Sequence, residues 1–382
     1  MSKPRLVIMA NNIDEVGGAQ RVAHVLAQGL ALRGYRVDLV GVAPFVPRHE
    51  FIHDPAYRES VLMSQPWPAP PRGQGLRARL RPGNREVRAR RERLGAEAAA
   101  SLADLLNEGQ PGIIITTQLW AMEQVARVPH DSWAVIGQYH SSFEAAAAGR
   151  DLRRARQLYA DVDAFTLLTA EDAAAFSKAG LNNTTWVANP LAFWPAAPVE
   201  GHRAGTVTYL GRLSREKGVR YLIEAWGLVA DRHPDWRLRL VGNGPDDAAV
   251  RAAVAALPSG ADRVDIRPPV SDAEAELRES DLLVLPSLTE GLPLVLAEAM
   301  SLGLPCIATD CSAGVRMLAA EGVAARLVAR GDAVELGEAM SDLMSSSAER
   351  RALGERARAA MDPYRLDVIL DRWDRLIDDV LR

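Results

Sequence analysis

Cysteine is scarce: Cys306 and Cys311 are the two in 382 residues. They flank a predicted buried strand and lack a second metal-ligand pair nearby, which excludes a zinc ribbon or a disulfide framework and leaves reduced structural thiols. Long apolar runs are missing as well. The opening MSKPRLVIMANN carries only the short stretch LVIMA, too brief for a signal h-region or a membrane helix, and no later run approaches ~18 residues. A cytoplasmic chain is expected. Neither charge sign dominates, since the formal net charge is -4, and this argues against a general nucleic-acid binder. The GxGxxG fingerprint is absent too: Gly242 and Gly244 in VGNGP have no third glycine and no following helix-packing pattern, which argues against a nicotinamide cofactor. No Ser/His/Asp, zinc or P-loop constellation is present.

What remains is an ordinary globular composition, 48% hydrophobic and 25% charged. The length exceeds one core of ordinary size and predicts two domains. Short β-branched runs alternate with helical stretches: RLVIMA, RVDLVGV, IIITT, WAVIGQY, AFTLLT and TTWVA first, then, after a stretch with Pro190, Pro195 and Pro198, TVTYLGR, LRLVGN, VDIRPP, LLVLP, CIAT and ARLVA. This is a parallel α/β pattern in two halves. Each half opens with a strand, a glycine-bearing loop and a helix, which predicts two Rossmann-like domains facing one another across a central cleft. The expected domains are residues 1–192 and 193–362. In such sheets ligands bind beyond the carboxyl ends of the strands. The terminal segment, residues 363–382, places Leu366, Ile369, Leu370, Trp373, Leu376, Ile377 and Val380 at helical spacing. It could pack on its own domain or cross back over the first.

Charge is unevenly spread. Between Arg72 and Arg93 nine arginines face Glu86 and Glu92, a local excess of seven positive charges (nine minus two). Such a block suits an anionic membrane surface or an acidic, phosphate-bearing acceptor, with Trp67 as an interfacial anchor. A solvated loop explains it equally well. The preceding QPWPAPPRGQG reads as loop, and NREVRARRERLGAEAAASLADLL reads as helix.

The chemistry-bearing pattern lies in PSLTEGLPLVLAEAMSLGLPCIATD. A strand ends at a loop with Glu290 and Gly291, and Pro293 offers the fixed φ favoured in a first helical turn. Free amides gather at such a start, so Leu294 and Val295 could donate to a diphosphate. Glu290 would lie before the helix and Glu298 a turn and a half inside it, roughly 7 Å along at about 1.5 Å per residue. Each carboxylate could hold hydroxyls, one on a sugar and the other on a ribose, which suits a nucleotide-sugar. In GRLSREKG, Arg212 and Lys217 follow a strand, with Gly211 and Gly218 allowing a tight backbone; two cations there could clamp a diphosphate and neutralise leaving-group charge. Taken singly, each of these motifs also reads as solvated surface charge. Gly17 and Gly18 occupy the corresponding loop of the first half, where missing side chains allow close approach to the backbone. VGNGP reads as a tight turn, with its backbone close to a nucleotide. His140 ends a first-half strand, which points it to the same cleft as a candidate sugar contact, although a structural or surface histidine is the commoner case.

Taken together, GGAQRV, GQYHSSF, VANPL, YLGRLSREKG, LVGNGP and SLTEGLPLVLAEAMSLGLPCIATD, in this order, resemble the retaining GT-B glycosyltransferases of family four, and the resemblance spans most of the chain. It implies that Arg212 and Lys217 bind the donor diphosphate. Glu290, with the backbone of Gly291, Leu292, Pro293 and Leu294, would hold the transferred sugar, and Glu298 the ribose. Gly18 would face the phosphates, His140 would approach the sugar, and the main chain near Arg267 would lie by the base. The C-terminal helix would cross back onto the first domain. A retaining transfer of a hexose or N-acetylhexosamine follows, without a metal or other cofactor. In this picture the acceptor hydroxyl loses its proton to a donor phosphate oxygen, and Glu290 positions the sugar. One departure stands out: many relatives carry a Pro/Gly-rich turn and a glutamate after the Asp-Cys pair, whereas here Asp310, Cys311, Ser312, Ala313, Gly314, Val315 and Arg316 lead to Met317. The EGLPLVL wording leans toward a UDP-sugar. A cell-envelope glycan, a lipid-linked oligosaccharide and a teichoic-type polymer all fit as acceptor. A nucleotide-sugar epimerase on the same fold and a non-catalytic nucleotide-sugar-binding partner are the competing readings.

Overall fold

The computed structural model describes residues 3–69, 82–199 and 205–382. Its backbone contacts separate two compact units, Met1–Pro190 with Asp367–Arg382, and Leu191–Leu366.

Among the described residues the first unit contains a seven-stranded sheet: β1 (Arg5–Ala10), β2 (Arg36–Gly41), β3 (Arg58–Val61), β4 (Ile113–Thr116), β5 (Ala134–Gln138), β6 (Ala164–Leu167) and β7 (Thr184–Trp186). The strands pair in parallel in the order β3-β2-β1-β4-β5-β6-β7. Leu6 sits opposite Val37 on one side and Ile113 on the other, and every residue of β1 is buried. That is why RLVIMA is apolar throughout rather than alternating: a central parallel strand is covered on both faces. The order reverses between β1 and β4, so the loops at their carboxyl ends diverge and leave room for a ligand.

β3 was not expected, because RESV has no hydrophobic run. It is an edge strand held by charge: Arg58 donates to Asp38 at 2.6 Å and to Glu108 at 2.9 Å. Charged residues on an edge also discourage pairing with other chains. Trp67, read above as an interfacial anchor, is half-buried; it packs 5.1 Å from Trp120, with the Arg91 guanidinium 5.1 Å from its ring. Of the basic block, Arg72, Arg77, Arg79 and Arg81 lie outside the described residues, while Arg85, Arg88, Arg90 and Arg93 are exposed on the helix Pro82–Asn107.

The terminal helix Leu366–Val380 lies almost wholly in the first unit and buries Ile369, Leu370, Trp373 and Ile377 there. Gly29, on the helix Gly18–Leu32, gives it room: a Cβ at that position would stand 2.7 Å from a Leu370 methyl. Asp374 then accepts hydrogen bonds from Tyr35 Oη and Arg33, both at 2.6 Å.

The second unit has a six-stranded parallel sheet among the described residues: β8 (Thr206–Leu210), β9 (Arg237–Val241), β10 (Val264–Arg267), β11 (Leu282–Leu285), β12 (Cys306–Thr309) and β13 (Arg326–Val328), in the order β10-β9-β8-β11-β12-β13. The order again reverses, here between β8 and β11. Trp226, Leu222 and Ile223 from the helix Val219–Val229 are buried in the core on this sheet. The fold is therefore α/β, two parallel sheets with flanking helices. Among the described residues no helix is long and apolar enough to cross a membrane.

Trp373 is 1% exposed, so Trp373→Ala should destabilise the first unit by about 3–5 kcal/mol, read as an earlier unfolding transition in calorimetry. Burial pushes the Asp374 carboxyl up, but hydrogen bonds from Tyr35 and Arg33 outweigh it and hold the group below its ordinary value. A depressed carboxyl stabilises the fold above its unfolded pKa of about 3.9 and loses that contribution as the pH falls through the folded value. Asp374→Asn should accordingly lower stability at pH 7 and flatten its decline below about pH 4; an unchanged acid limb would contradict this.

Candidate functional site

The loop after β11 is fixed at nearly every residue. Ser287 is fully buried, and its carbonyl oxygen accepts a hydrogen bond from Thr309 Oγ1 at the end of β12. Leu288 N–H donates to Glu216 O at 2.7 Å, and Arg330 Nη1 donates to Leu288 O at 3.2 Å. Ser312 Oγ donates to Gly291 O at 3.4 Å. Gly314 lets the two backbones meet, since a Cβ there would stand 1.8 Å from Gly291 O.

Glu290 emerges from this cradle. Its Oε1 accepts from Lys217 Nζ at 2.7 Å and from Ser287 Oγ at 2.7 Å, and its side chain is 9% exposed. Lys217 ends a 3-10 turn, Arg215–Lys217, which Gly218 closes in the left-handed region at φ 63°. Glycine is required there, because a Cβ would lie 2.0 Å from Pro286 O as well as strain the backbone. Arg212 is exposed, and its side chain has no partner among the described residues; its carbonyl accepts from Tyr209 Oη at 2.7 Å. Around the pair, titration is suppressed: burial, aided by the Glu290 charge, pushes the Cys311 thiol up to about 11 and the Tyr209 phenol higher. Cys311 and Cys306 are both buried free thiols.

The next strand ends join the same edge. Gly242, at φ 146°, would carry a Cβ 1.9 Å from Gly211 O, and one on Gly244 would lie 2.2 Å from Leu213 O. Gly242 N–H donates to Arg267 O at 3.0 Å. The Arg267 guanidinium is engaged by Asp265 at 2.6 Å, and that hydrogen bond raises its pKa. The helix Leu294–Ser301 begins one residue later than expected: Pro293 is its N-cap with ψ 111°, so Leu294 rather than proline opens the first turn. Leu292 is buried, Leu294 and Val295 are half-buried, and Glu298 is 1% exposed one turn in.

The structure thus gathers Arg212, Lys217, Gly242, Gly244, Arg267, Glu290, Gly291, Leu292, Pro293, Leu294, Val295 and Glu298 at the carboxyl edge of one sheet. Gly17, Gly18 and His140 belong to the first unit. Gly17 is the extended N-cap of its helix and Gly18 the first helical residue, so Gly18 is not in the loop as expected. His140 follows β5 by two residues; its ring is enclosed although the residue keeps partial exposure, burial pushes its pKa down to about 4, and its Nε2 has no partner among the described residues. The imidazole is neutral at pH 7. Beside it in sequence order, the ends of β1 and β4 carry an amide network that the sequence reading missed: Asn11 N–H donates to Gln118 Oε1 at 2.8 Å, and Gln20 Nε2 donates to Asn12 Oδ1 at 2.9 Å. Ser287, Thr309 and Ser312 were missed as well; the spacing Ser-x-x-Glu was the available signal for the first. Among the described residues no group of three or more His, Cys, Asp and Glu side chains is placed to hold a metal ion.

With this geometry in view, comparison with known proteins points to one fold and one family. The family profile described as Glycosyl transferases group 1 matches residues 204–346. An uncharacterized glycosyltransferase of Haemophilus influenzae is 26% identical over 373 residues, 96% of this chain and 98% of that protein. The crystal structure of TarM superposes with a TM-score of 0.80 at 12% identity, covering 98% of this chain and 99% of that one. The chain has the GT-B fold, and its second unit resembles the group 1 glycosyl transferases. Anabaena HepE, in complex with UDP and glucose, matches with a TM-score of 0.76 at 18% identity over 98% and 99% of the two chains. A complex of Staphylococcus aureus TarM with fondaparinux, α-GlcNAc-glycerol and UDP matches with a TM-score of 0.66 at 17% identity, covering 74% of this chain and 59% of that one.

The packing sets two expectations. Gly314→Ala must displace Gly291 and should destabilise the second unit by about 1–3 kcal/mol, read as an earlier unfolding transition in calorimetry; an unchanged transition would contradict the cradle. Because a neutral enclosed His140 is protonated more readily in the unfolded chain, stability should fall as the pH drops from about 6.5 toward 4, and less so in His140→Gln.

Proposed function

We propose that this chain is a glycosyltransferase that moves a hexose or N-acetylhexosamine from a UDP-sugar, with retention of anomeric configuration, to a hydroxyl of a cell-envelope glycan, a lipid-linked or a teichoic-type acceptor. The observation that carries the proposal is the contact between Lys217 and Glu290 at 2.7 Å on two loops that leave adjacent strands. A cation and a carboxylate joined at a strand-order reversal offer one group to a diphosphate and the other to sugar hydroxyls. The TarM complex holding UDP and α-GlcNAc-glycerol, and the HepE complex holding UDP and glucose, support the choice of donor and of a hydroxyl acceptor.

In this reading Arg212 and Lys217 bind the diphosphate, Leu294 and Val295 direct amides at it, Glu298 takes the ribose, and the main chain at Gly242, Gly244 and Arg267 borders the base. The bond from the anomeric carbon to the phosphate oxygen breaks with its electron pair going to that oxygen. The acceptor oxygen bonds to the same face of the carbon, and its proton passes to a donor phosphate oxygen. The two cations stabilise the charge that grows on the diphosphate, and Glu290 fixes the sugar for in-place attack. No metal or other cofactor is required. In the same reading the exposed arginines of Pro82–Asn107 contact an anionic acceptor or the inner face of an anionic membrane.

The test is hydrolysis of a panel of UDP-, GDP- and ADP-sugars followed by mass spectrometry, with the anomer of any transfer product read by NMR. A UDP-sugar should be consumed, with a loss of at least about a hundredfold in both Glu290→Ala and Lys217→Ala, and the rate should survive EDTA. Hydrolysis untouched by either substitution would exclude this site, and an inverted product would exclude retention. Neutralising Arg88, Arg90, Arg91 and Arg93 should weaken binding to anionic vesicles; unchanged binding would remove the membrane role.

A further inference from the structure

The two oxygens of the Glu290 carboxylate are unequally occupied. Oε1 accepts both the Lys217 ammonium and the Ser287 hydroxyl at 2.7 Å, and no hydrogen bond reaches Oε2 among the described residues. Lys217 alone would fix the carboxylate poorly, because an ammonium on a four-carbon stem donates from any of three protons and swings readily. A phosphate would also compete for it. Ser287 has none of that freedom. Its side chain turns about a single torsion and is 0% exposed, its carbonyl is held by Thr309 Oγ1, and the loop it starts is pinned at Leu288 and Gly291.

We propose that Ser287 is a positioning residue of the transfer reaction. Its hydroxyl anchors Oε1 of Glu290, so that Oε2 is the oxygen presented to a hydroxyl of the donor sugar, and it keeps the carboxylate in place while Lys217 turns to phosphate charge. Thr309 supports the same geometry one step further back, through the Ser287 carbonyl. The proposal rests on the nucleotide-sugar reading of this site. It separates two parts of the donor: Ser287 acts on the sugar and leaves the nucleotide alone.

The experiment uses the full chain as parent, Ser287→Ala, Ser287→Thr, Glu290→Gln and the double variant Ser287→Ala/Glu290→Gln. UDP affinity is read by calorimetry, hydrolysis of the UDP-sugar by kcat and KM, and Lys217 accessibility by amine labelling with mass spectrometry. Ser287→Ala should keep its UDP Kd within about twofold and lose about tenfold in kcat, with most of the rate returning in Ser287→Thr. In the Glu290→Gln background the same substitution should cost less than about twofold more, since residues acting through one group are not additive. A full kcat in Ser287→Ala, an equal loss of UDP affinity, or an additive loss in the double variant would each overturn the proposal. Labelling of Lys217 needs no turnover: it should rise several-fold in both Ser287→Ala and Glu290→Gln as the ion pair loosens. A rise in Glu290→Gln with none in Ser287→Ala would show that the serine does not hold the carboxylate, even in a chain that hydrolyses nothing. A parent that neither binds UDP nor hydrolyses any UDP-sugar would instead overturn the functional reading.

Discussion

The Lys217–Glu290 ion pair constrains everything built around it in the second unit. Side chains 28% and 9% exposed bring opposite charges to 2.7 Å, and at such partial burial removing one partner strands the other in a poorly solvated place. The pair can form because β8 and β11 are neighbours, so the loops that leave their carboxyl ends start side by side. Close approach then demands glycine. At Gly218 a side chain would strike Pro286 O, and at Gly314 it would strike Gly291 O, so the two loops that carry the charges are seated by residues that carry none.

The two sheets present different chemistry at their carboxyl edges. In the second unit it is ionic at Arg212, Lys217 and Glu290, with helix amides behind them. In the first it is neutral, built from Asn11, Asn12, Gln20 and Gln118 and an imidazole whose enclosure keeps it uncharged. Ionic groups suit a charged leaving group, and neutral donors and acceptors suit hydroxyl-bearing molecules. This division follows from the residue types that each set of strand ends exposes.

Much of this was legible in the sequence, for identifiable reasons. Runs such as RLVIMA and LLVLP announce buried parallel strands because covering on both faces removes alternation. The motif residues of the second unit could be placed because each lies in the loop or helix that leaves a strand, and strand ends in a parallel sheet share one edge. β3 was invisible, since an edge strand held by Arg58 to Asp38 and Glu108 needs no apolar run. The partners of Glu290 were harder still. Ser287 lies three residues away and could have been suspected, but Thr309, Ser312 and Gly314 meet the loop only after β12 is laid beside β11, a contact that no local spacing encodes. Helix starts slipped by one residue at Pro293 and Gly18, where proline and glycine fit either side of the boundary. Trp67 is half-buried because Trp120 and the Arg91 guanidinium both pack against its ring.

The central claim is that Lys217 serves the nucleotide diphosphate while Glu290 serves the sugar. Calorimetric affinities for UDP and for the UDP-sugar in the parent, Lys217→Met and Glu290→Gln test it most directly. The account predicts that Lys217→Met weakens both ligands alike, whereas Glu290→Gln keeps UDP affinity and erases the added affinity that the sugar brings. Equal weakening of UDP by both substitutions would contradict it.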